Sequence, residues 1–371
     1  MFKTLIKLLF PTKKNDNQPN YLYFEDSKKP VQEMQEQPVD ELQKSLEPKS
    51  IRPTSIEEKH QRAFYDFLFG QSTPTEQHDE LSLYIANKIE KLLAKPKHVL
   101  ETLPVLPSSL SKIIEQLSDD GFDAEVLIAL IQQEPVMAAK VIELANSSFY
   151  NRSYKDITDL KSAFMLLGVN GLMEGVVNGF VSKLVPQSKV YFQQYGNNIW
   201  KHCFTTGVIA KELITKSPYE QESAQGYLLG LICNLGDMII FQLLMDAFSV
   251  VHPDHQPNSF AFKDLMYKNS KKITYFIAKH WNFPYSILNV LALQVKLTKS
   301  SMLSSAFTKH PIACYLYEAN IISELEMRFE HGEIDKETLN EARDFLVFSD
   351  EAKQYLEKLS LACSDIVNLA T

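Results

Sequence analysis

The chain has 371 residues, 45% of them hydrophobic and 23% charged, which is the composition of an ordinary soluble globular protein with room for two or three packed units or one large helical body. A net charge of −8 argues against a general nucleic-acid binder, because phosphate affinity rests on clustered Lys and Arg. The cysteines at 203, 233, 314 and 363 share no CxxC spacing, which sets aside a zinc knuckle or a thioredoxin-type site and suits a reducing cytoplasm.

Residues 1–53 form the first segment. Met1–Phe10 is apolar but interrupted by Lys3 and Lys7 and followed by Pro11, far too short to span a bilayer and without a signal-peptide cleavage site. It reads as a frayed terminus, or else as a short amphipathic helix giving weak membrane contact or docking a partner. Residues 11–53 are rich in Lys, Gln, Asn, Glu, Asp and Pro and read as a disordered linker, too polar for a core. A helical extension, 54–99, follows. Ser55 with Glu58 is a capping-box pattern, and Ala63, Phe64, Phe67 and Leu68 form one apolar stripe. Leu81, Ile85, Ile89, Leu92 and Leu93 form another, closed by Pro96.

From about residue 100 the spacing predicts short helices. Leu110, Ile113, Ile114 and Leu117 lie on one, and Leu127, Leu130 and Ile131 on a second that Asp123 can cap. Pro135 opens a third with Met137, Val141, Leu144 and Ala145. Thr158 can cap a fourth, which Gly168 stops. A fifth starts at Asn170 and places Gly171, Gly175 and Gly179 on one stripe, a pattern for close backbone contact with a neighbouring helix. A long helix runs from about Asn198 to Thr215. Further helices are expected around Gln225–Cys233, Met238–Leu244, Phe260–Tyr267, Ile273–Trp281 and Ser286–Val295, with two or three more over 301–371. The longest alternating run is about four residues, so the fold class is all-α.

Several strings in this order carry a resemblance. They are Leu103-Pro104-Val105-Leu106-Pro107, Gln133-Glu134-Pro135-Val136-Met137-Ala138-Ala139-Lys140-Val141, Leu144-Ala145-Asn146-Ser147-Ser148-Phe149-Tyr150 and Ser162–Gly168. Trp200-Lys201-His202, Gly230-Leu231-Ile232-Cys233-Asn234-Leu235-Gly236 and Trp281-Asn282-Phe283-Pro284 continue it. Over 100–300 the chain resembles the HDOD family, HD-related output domains of bacterial signalling proteins. The resemblance implies an all-helical fold related to the HD hydrolases and cyclic-di-GMP phosphodiesterases, in members that typically act as regulatory modules.

The same alignment of motifs implies loss of the catalytic metal. His202 stands where an HD enzyme places its first ligand, but Cys233-Asn234 replaces the His-Asp pair. Relatives often hold a His near Ser270 and can carry consecutive histidines where Leu293-Gln294-Val295 stands here. A metal would have to be rebuilt from His202, Asn234 and Asp237, and Asn is a poor ligand for a transition metal. His202, Cys233, Asn234 and Asp237 are therefore read as vestigial site positions, with no catalytic residue, metal or cofactor expected. Asn234 and Asp237 can alternatively be simple caps of the helix that follows. His252, Asp254 and His255 form a second cluster, read as a surface loop for want of a third ligand; Asn146, Ser147 and Ser148 are read as shaping the turn after their helix. Loops of the types GxxxxGK[ST], GxGxxG, GxSxG and HExxH are missing.

The expected function is thus that of a cytoplasmic bacterial signalling protein without catalysis, acting on a protein partner. The alternatives are a metal-dependent phosphohydrolase with an irregular ligand set, and a cyclic-dinucleotide sensor without hydrolysis.

Overall fold

The structure is a computed structural model that describes residues 2–10, 55–70, 79–104, 124–132, 135–147, 150–151, 156–188, 191–251 and 257–368. Among them every regular element is a helix, as the sequence predicts. The expected linker, the helix at Leu110–Leu117, the cap Asp123 and the cluster His252, Asp254 and His255 lie outside the described residues.

The amino-terminal stretch does not fray. α1 (Lys3–Leu9) turns Phe2, Leu5, Ile6 and Phe10 inward and leaves Lys3 and Lys7 exposed. Phe2 N donates to Asp246 Oδ2 at 2.9 Å. The apolar side chains that suggested a surface anchor are therefore spent on the protein's own interior.

The extension follows its sequence signals. In α2 (Ile56–Leu68) the Ser55 hydroxyl accepts from Glu58 N at 3.2 Å, and Phe64, Tyr65, Phe67 and Leu68 are buried. The Glu58 carboxylate turns to Arg62 at 3.0 Å instead of closing the capping box. α3 (Glu80–Leu93) is capped by Asp79 and buries Leu81, Ile85, Ala86, Ile89 and Leu93. A short α4 (Lys97–Glu101) follows.

α5 (Ala124–Gln132) and α6 (Pro135–Ala145) lead to α7 (Leu160–Ser182). Asp159, not Thr158, caps α7: its carboxylate accepts from Ser162 N at 2.8 Å and from the Ser162 hydroxyl at 2.7 Å. The aspartate lies one residue closer to the first turn and offers two oxygens. Gly168 adopts φ 66°, ψ −172°, and the axis bends by 109° between Leu160–Val169 and Glu174–Ser182, so the stop expected at Gly168 is a sharp corner. Beyond the corner two of the three glycines do what their spacing suggests. A Cβ on Gly175 would lie 2.7 Å from Val141 Cα, and one on Gly179 3.0 Å from Met137 Cα, both on α6. Gly171 faces only Leu167 of its own helix. Gly175→Ala is accordingly expected to destabilise the protein by about 2 kcal/mol, since backbone on both sides must move apart. Gly179→Ala, whose Cβ would stand 3.0 Å from Met137 Cα, should cost less; chemical denaturation of the two variants checks the order.

α8 (Tyr195–Thr215) and α9 (Ser223–Ile232) cross where a Cβ on Gly230 would come within 2.4 Å of Gly207 Cα. α10 (Leu235–Val251) follows after a two-residue turn. The stretch 220–250 is long and apolar enough to match a membrane span in composition, but 94% of its most apolar window is buried inside the fold. α11 (Ser259–His280) is one helix, not the two expected on either side of Lys268–Lys272. The polar stretch does not break it because Ser270 is buried against polar partners while Lys268 and Lys272 face outward. α12 (Tyr285–Lys296), α13 (Leu303–Phe307), α14 (Pro311–Glu330), α15 (Lys336–Phe345) and α16 (Asp350–Asn368) complete the chain.

One continuous apolar core runs from Phe2 to Leu356. α14 is buried almost all round, packing on α8, α9, α12 and α2. Trp281 closes α11 with its indole against Phe180 at 5.2 Å, its Nε1 donating to Pro104 O at 3.2 Å.

Candidate functional site

The positions singled out around His202 do converge. α8 supplies His202, the turn between α9 and α10 supplies Cys233 and Asn234, and the first turn of α10 supplies Asp237. Gly236 lets that turn press onto α11: a Cβ there would stand 2.0 Å from Ser270 O. Thr274 fastens the contact, its hydroxyl accepting from Gly236 N at 2.9 Å and donating to Cys233 O at 3.1 Å.

Each of the four side chains is already engaged. His202 is 2% exposed, and its ring packs on Phe64 of α2 with centroids 4.6 Å apart. Ser323 Oγ of α14 lies 3.0 Å from His202 Nδ1 and donates to His202 O at 3.2 Å. Burial pulls the imidazole pKa down to about 4, outweighing the attraction of Glu324, so the ring is neutral near pH 7. Asn234 Nδ2 donates to Asn320 Oδ1 at 2.9 Å, and Asn320 Nδ2 donates to Glu324 Oε1 at 2.7 Å. Glu324 Oε2 lies 2.8 Å from His60 Nε2 of α2, without hydrogen-bond geometry. The Cys233 thiol donates to Gly230 O at 3.2 Å, and burial pushes its pKa, like that of Cys203, far up. Neither sulfur is a thiolate ready for a metal or for attack.

Asp237 is no cap. α10 starts before it, and its Oδ1 accepts from Tyr65 OH of α2 at 2.9 Å and from Ser270 Oγ at 2.7 Å. Burial raises its pKa to about 6 against the lowering effect of those two hydroxyls, with Glu324 adding to the rise and Lys271 opposing it. Lys271 is half-buried nearby, its Nζ 5.4 Å over the Tyr317 ring. Burial lowers its pKa while Glu324, Cys233 and Asp237 pull the other way. A cavity of about 40 Å³, water-sized, remains among Glu57, His60, Lys271, Tyr317, Asn320 and Glu324.

This donor set does not fit a catalytic metal. Among the described residues no three His, Cys, Asp or Glu side chains gather as ligands, and a catalytic ion needs roughly three with an open position. The Lys271 ammonium, the neutral His202 imidazole and the amides of Asn234 and Asn320 share the neighbourhood with the Asp237 and Glu324 carboxylates. His60, Tyr65, Asn320, Ser323 and Glu324 all escaped sequence reasoning. They lie outside the span that carries the family motifs, and their one signal was Asn320, Ser323 and Glu324 at i, i+3, i+4 on a helix that is mostly buried.

Asn146 has a local task. Its Nδ2 donates to Ile142 O at 3.0 Å and Ile157 O at 2.7 Å, and its Oδ1 accepts from Ile157 N at 2.8 Å, pinning the chain after α6. Ser147 Oγ donates to Leu144 O at 2.7 Å, whereas Ser148 lies outside the described residues.

The family model of the HDOD domain matches residues 103–297. A protein of Treponema pallidum (strain Nichols) is 21% identical over 216 residues, 57% of this chain and 41% of that protein. The chain thus spans about two fifths of the length of that relative. The crystal structure of an HDOD domain protein from Geobacter sulfurreducens, 20% identical, aligns with a TM-score of 0.46 over 65% of this chain and 77% of its own. A Shewanella amazonensis SB2B protein, provisionally assigned as a metal-dependent phosphohydrolase, is 15% identical and aligns with a TM-score of 0.48 over 75% of this chain and 99% of its own.

Proposed function

The chain belongs to the HDOD domain family, and on that premise we propose that it is a non-catalytic regulatory protein that acts through contact with a protein partner. One observation carries this reading. The HD-type position is sealed by α2 and α14, helices from outside the matched span 103–297, whose side chains bond to its members. A hydrolase must leave its reaction centre open to substrate, whereas here the appended helices use that centre as a docking face.

The mechanism follows from the two halves of the matched span. The helical lobe, α5–α7, packs on the HD-like lobe, α8–α12, through α7 against α9 and through Phe180 against Trp281. A change in their packing would alter the surface shown to a partner. The aromatic corner of Phe345 and Phe348, 61% and 45% exposed, suits such a contact, because aromatic anchors dominate interface energies. Buried free thiols at 203, 233 and 314 accord with a bacterial cytoplasm as its setting.

The test has two arms. Purified protein supplied with Mn(II) or Fe(II) is assayed on bis(p-nitrophenyl) phosphate and on cyclic di-GMP. No turnover that depends on His202 is expected, and turnover abolished by His202→Ala would overturn the reading in favour of a phosphohydrolase. In the second arm the full chain captures partners from its own cells. A stoichiometric partner lost on Phe345→Asp is expected; a cyclic dinucleotide that raises the melting temperature, with no such partner, would favour the sensor.

A further inference from the structure

A cavity of about 590 Å³ lies between the two lobes, on the face of α8 opposite His202, within the size range of small-molecule pockets. Leu144, Phe204 and Val208 give it a mostly apolar wall. Its polar floor is a closed triad: Lys211 Nζ donates to Glu174 Oε1 at 2.5 Å and to Tyr150 OH at 2.8 Å, and Tyr150 OH donates to Glu174 Oε2 at 2.7 Å. Glu174 is 4% exposed. At the rim Lys216 pairs with Glu212.

One group on this floor is left over. Tyr227 is 2% exposed and its hydroxyl has no hydrogen-bond partner. That hydroxyl sits close enough to Glu174 and Tyr150 for both to raise its pKa. The Asn178 side chain lies beside it as a hydrogen-bonding neighbour that opposes this rise, although neither the Tyr227 hydroxyl nor Asn178 Oδ1 makes a bond of normal geometry. A buried hydroxyl without a partner is costly.

We propose that this inter-lobe cavity binds an uncharged, mostly apolar small molecule with one hydrogen-bonding oxygen, which the Tyr227 hydroxyl receives. The absence of net charge follows from the floor and rim. Each ammonium there already has its carboxylate, so an anionic or cationic head would have to break a pair or be buried without one. The apolar wall accepts an aliphatic or aromatic body. The proposal is independent of the regulatory reading, since binding can be measured whatever the partner; if both hold, such a molecule, lying between the lobes, would be the input that shifts their packing.

Nile red, uncharged and largely apolar with a carbonyl oxygen, serves as the fluorescent probe for the full chain, with 1-dodecanol as competitor. Dodecanoate and dodecyltrimethylammonium are the charged controls. Saturable fluorescence displaced by 1-dodecanol but not by either ion is expected. Tyr227→Phe should weaken Nile red roughly fivefold, the factor that one net hydrogen bond supplies. The same variant should leave the melting temperature of the free protein unchanged or higher, because it removes an unsatisfied group. Val208→Trp, at a position 37% exposed, should fill the cavity and abolish binding in a protein that still folds. Equal displacement by all three amphiphiles would overturn the proposal, as would wild-type affinity in both variants. So would a clear fall in the melting temperature of free Tyr227→Phe, which would mean that the hydroxyl is already satisfied within the fold.

Discussion

Asp66→Ala is expected to cost about 4 kcal/mol of unfolding free energy. Asp66 of α2 and Lys263 of α11 form an ion pair across 197 positions of sequence, and the two residues are 7% and 3% exposed. Removing the carboxylate strands an ammonium in the interior with only the face of Phe260, 5.8 Å away, for company. The neighbouring pair Arg62–Asp264, at 2.8 Å, is about 30% exposed on each side and should contribute well under 1 kcal/mol. The effect belongs to the stranded charge rather than to the pair, so Asp66→Leu combined with Lys263→Met should recover most of the loss. Urea midpoints at unchanged m-value measure both quantities. A cost below about 1 kcal/mol for the single variant would show that the ammonium escapes to water. Because the pair ties α2 to α11, hydrogen exchange in α2 should rise first in Asp66→Ala, and Tyr65 and His60 should loosen from the sealed site with it.

The second large effect concerns pH. Asp237 and His202 are shifted in opposite senses over nearly the same range. Asp237 titrates at about 6 in the fold against 3.8 for the free side chain, so the folded chain binds more protons in between and loses stability as pH rises through that window. His202 titrates at about 4 against 6.5, so the unfolded chain binds more protons and stability grows as pH rises through its window. Each shift is worth roughly 3 kcal/mol, and in the wild-type protein the two nearly cancel. Asp237→Asn keeps an oxygen for Tyr65 and Ser270 but removes one of the opposing slopes. Relative to wild type, the variant should therefore gain roughly 3 kcal/mol between pH 4 and pH 6.5. Taking the difference between the two proteins removes the groups that do not feel Asp237; Lys271 does feel it and loses its upward pull in the variant. Parallel pH profiles would show that Asp237 titrates like an exposed carboxyl.

Much of this architecture can be read from residue spacing. The stripe Ala63–Leu68, the stripe Leu81–Leu93, the proline start at Pro135 and the tail helices all fall within a few residues of the observed elements. What spacing cannot supply is the partner of a face. The pattern Phe2, Leu5, Ile6 and Phe10 with outward lysines is amphipathic, yet only the tertiary fold says that α10 receives it. Lys263 and Lys271 mislead for a related reason. A lysine in sequence reads as solvent-facing, and the carboxylates that draw these two inward come from helices far along the chain. The site divides the same way. His202, Cys233, Asn234 and Asp237 were legible through family-like motifs, whereas the groups that bond to them belong to segments that carry none. The alternative that Asp237 caps α10 fits an acidic residue before an apolar run only locally. Its actual partners, Tyr65 and Ser270, are 172 and 33 positions away.

Cys203 and Cys233 are buried, and that burial holds their thiols protonated. A thiol-specific reagent can therefore reach them only when α8 and the adjoining turn come apart. The rate of covalent tagging at these two sulfurs, in a Cys363→Ser background, would time each excursion without any engineered probe, and a bound partner or small molecule that slows it would reveal which surfaces it holds shut.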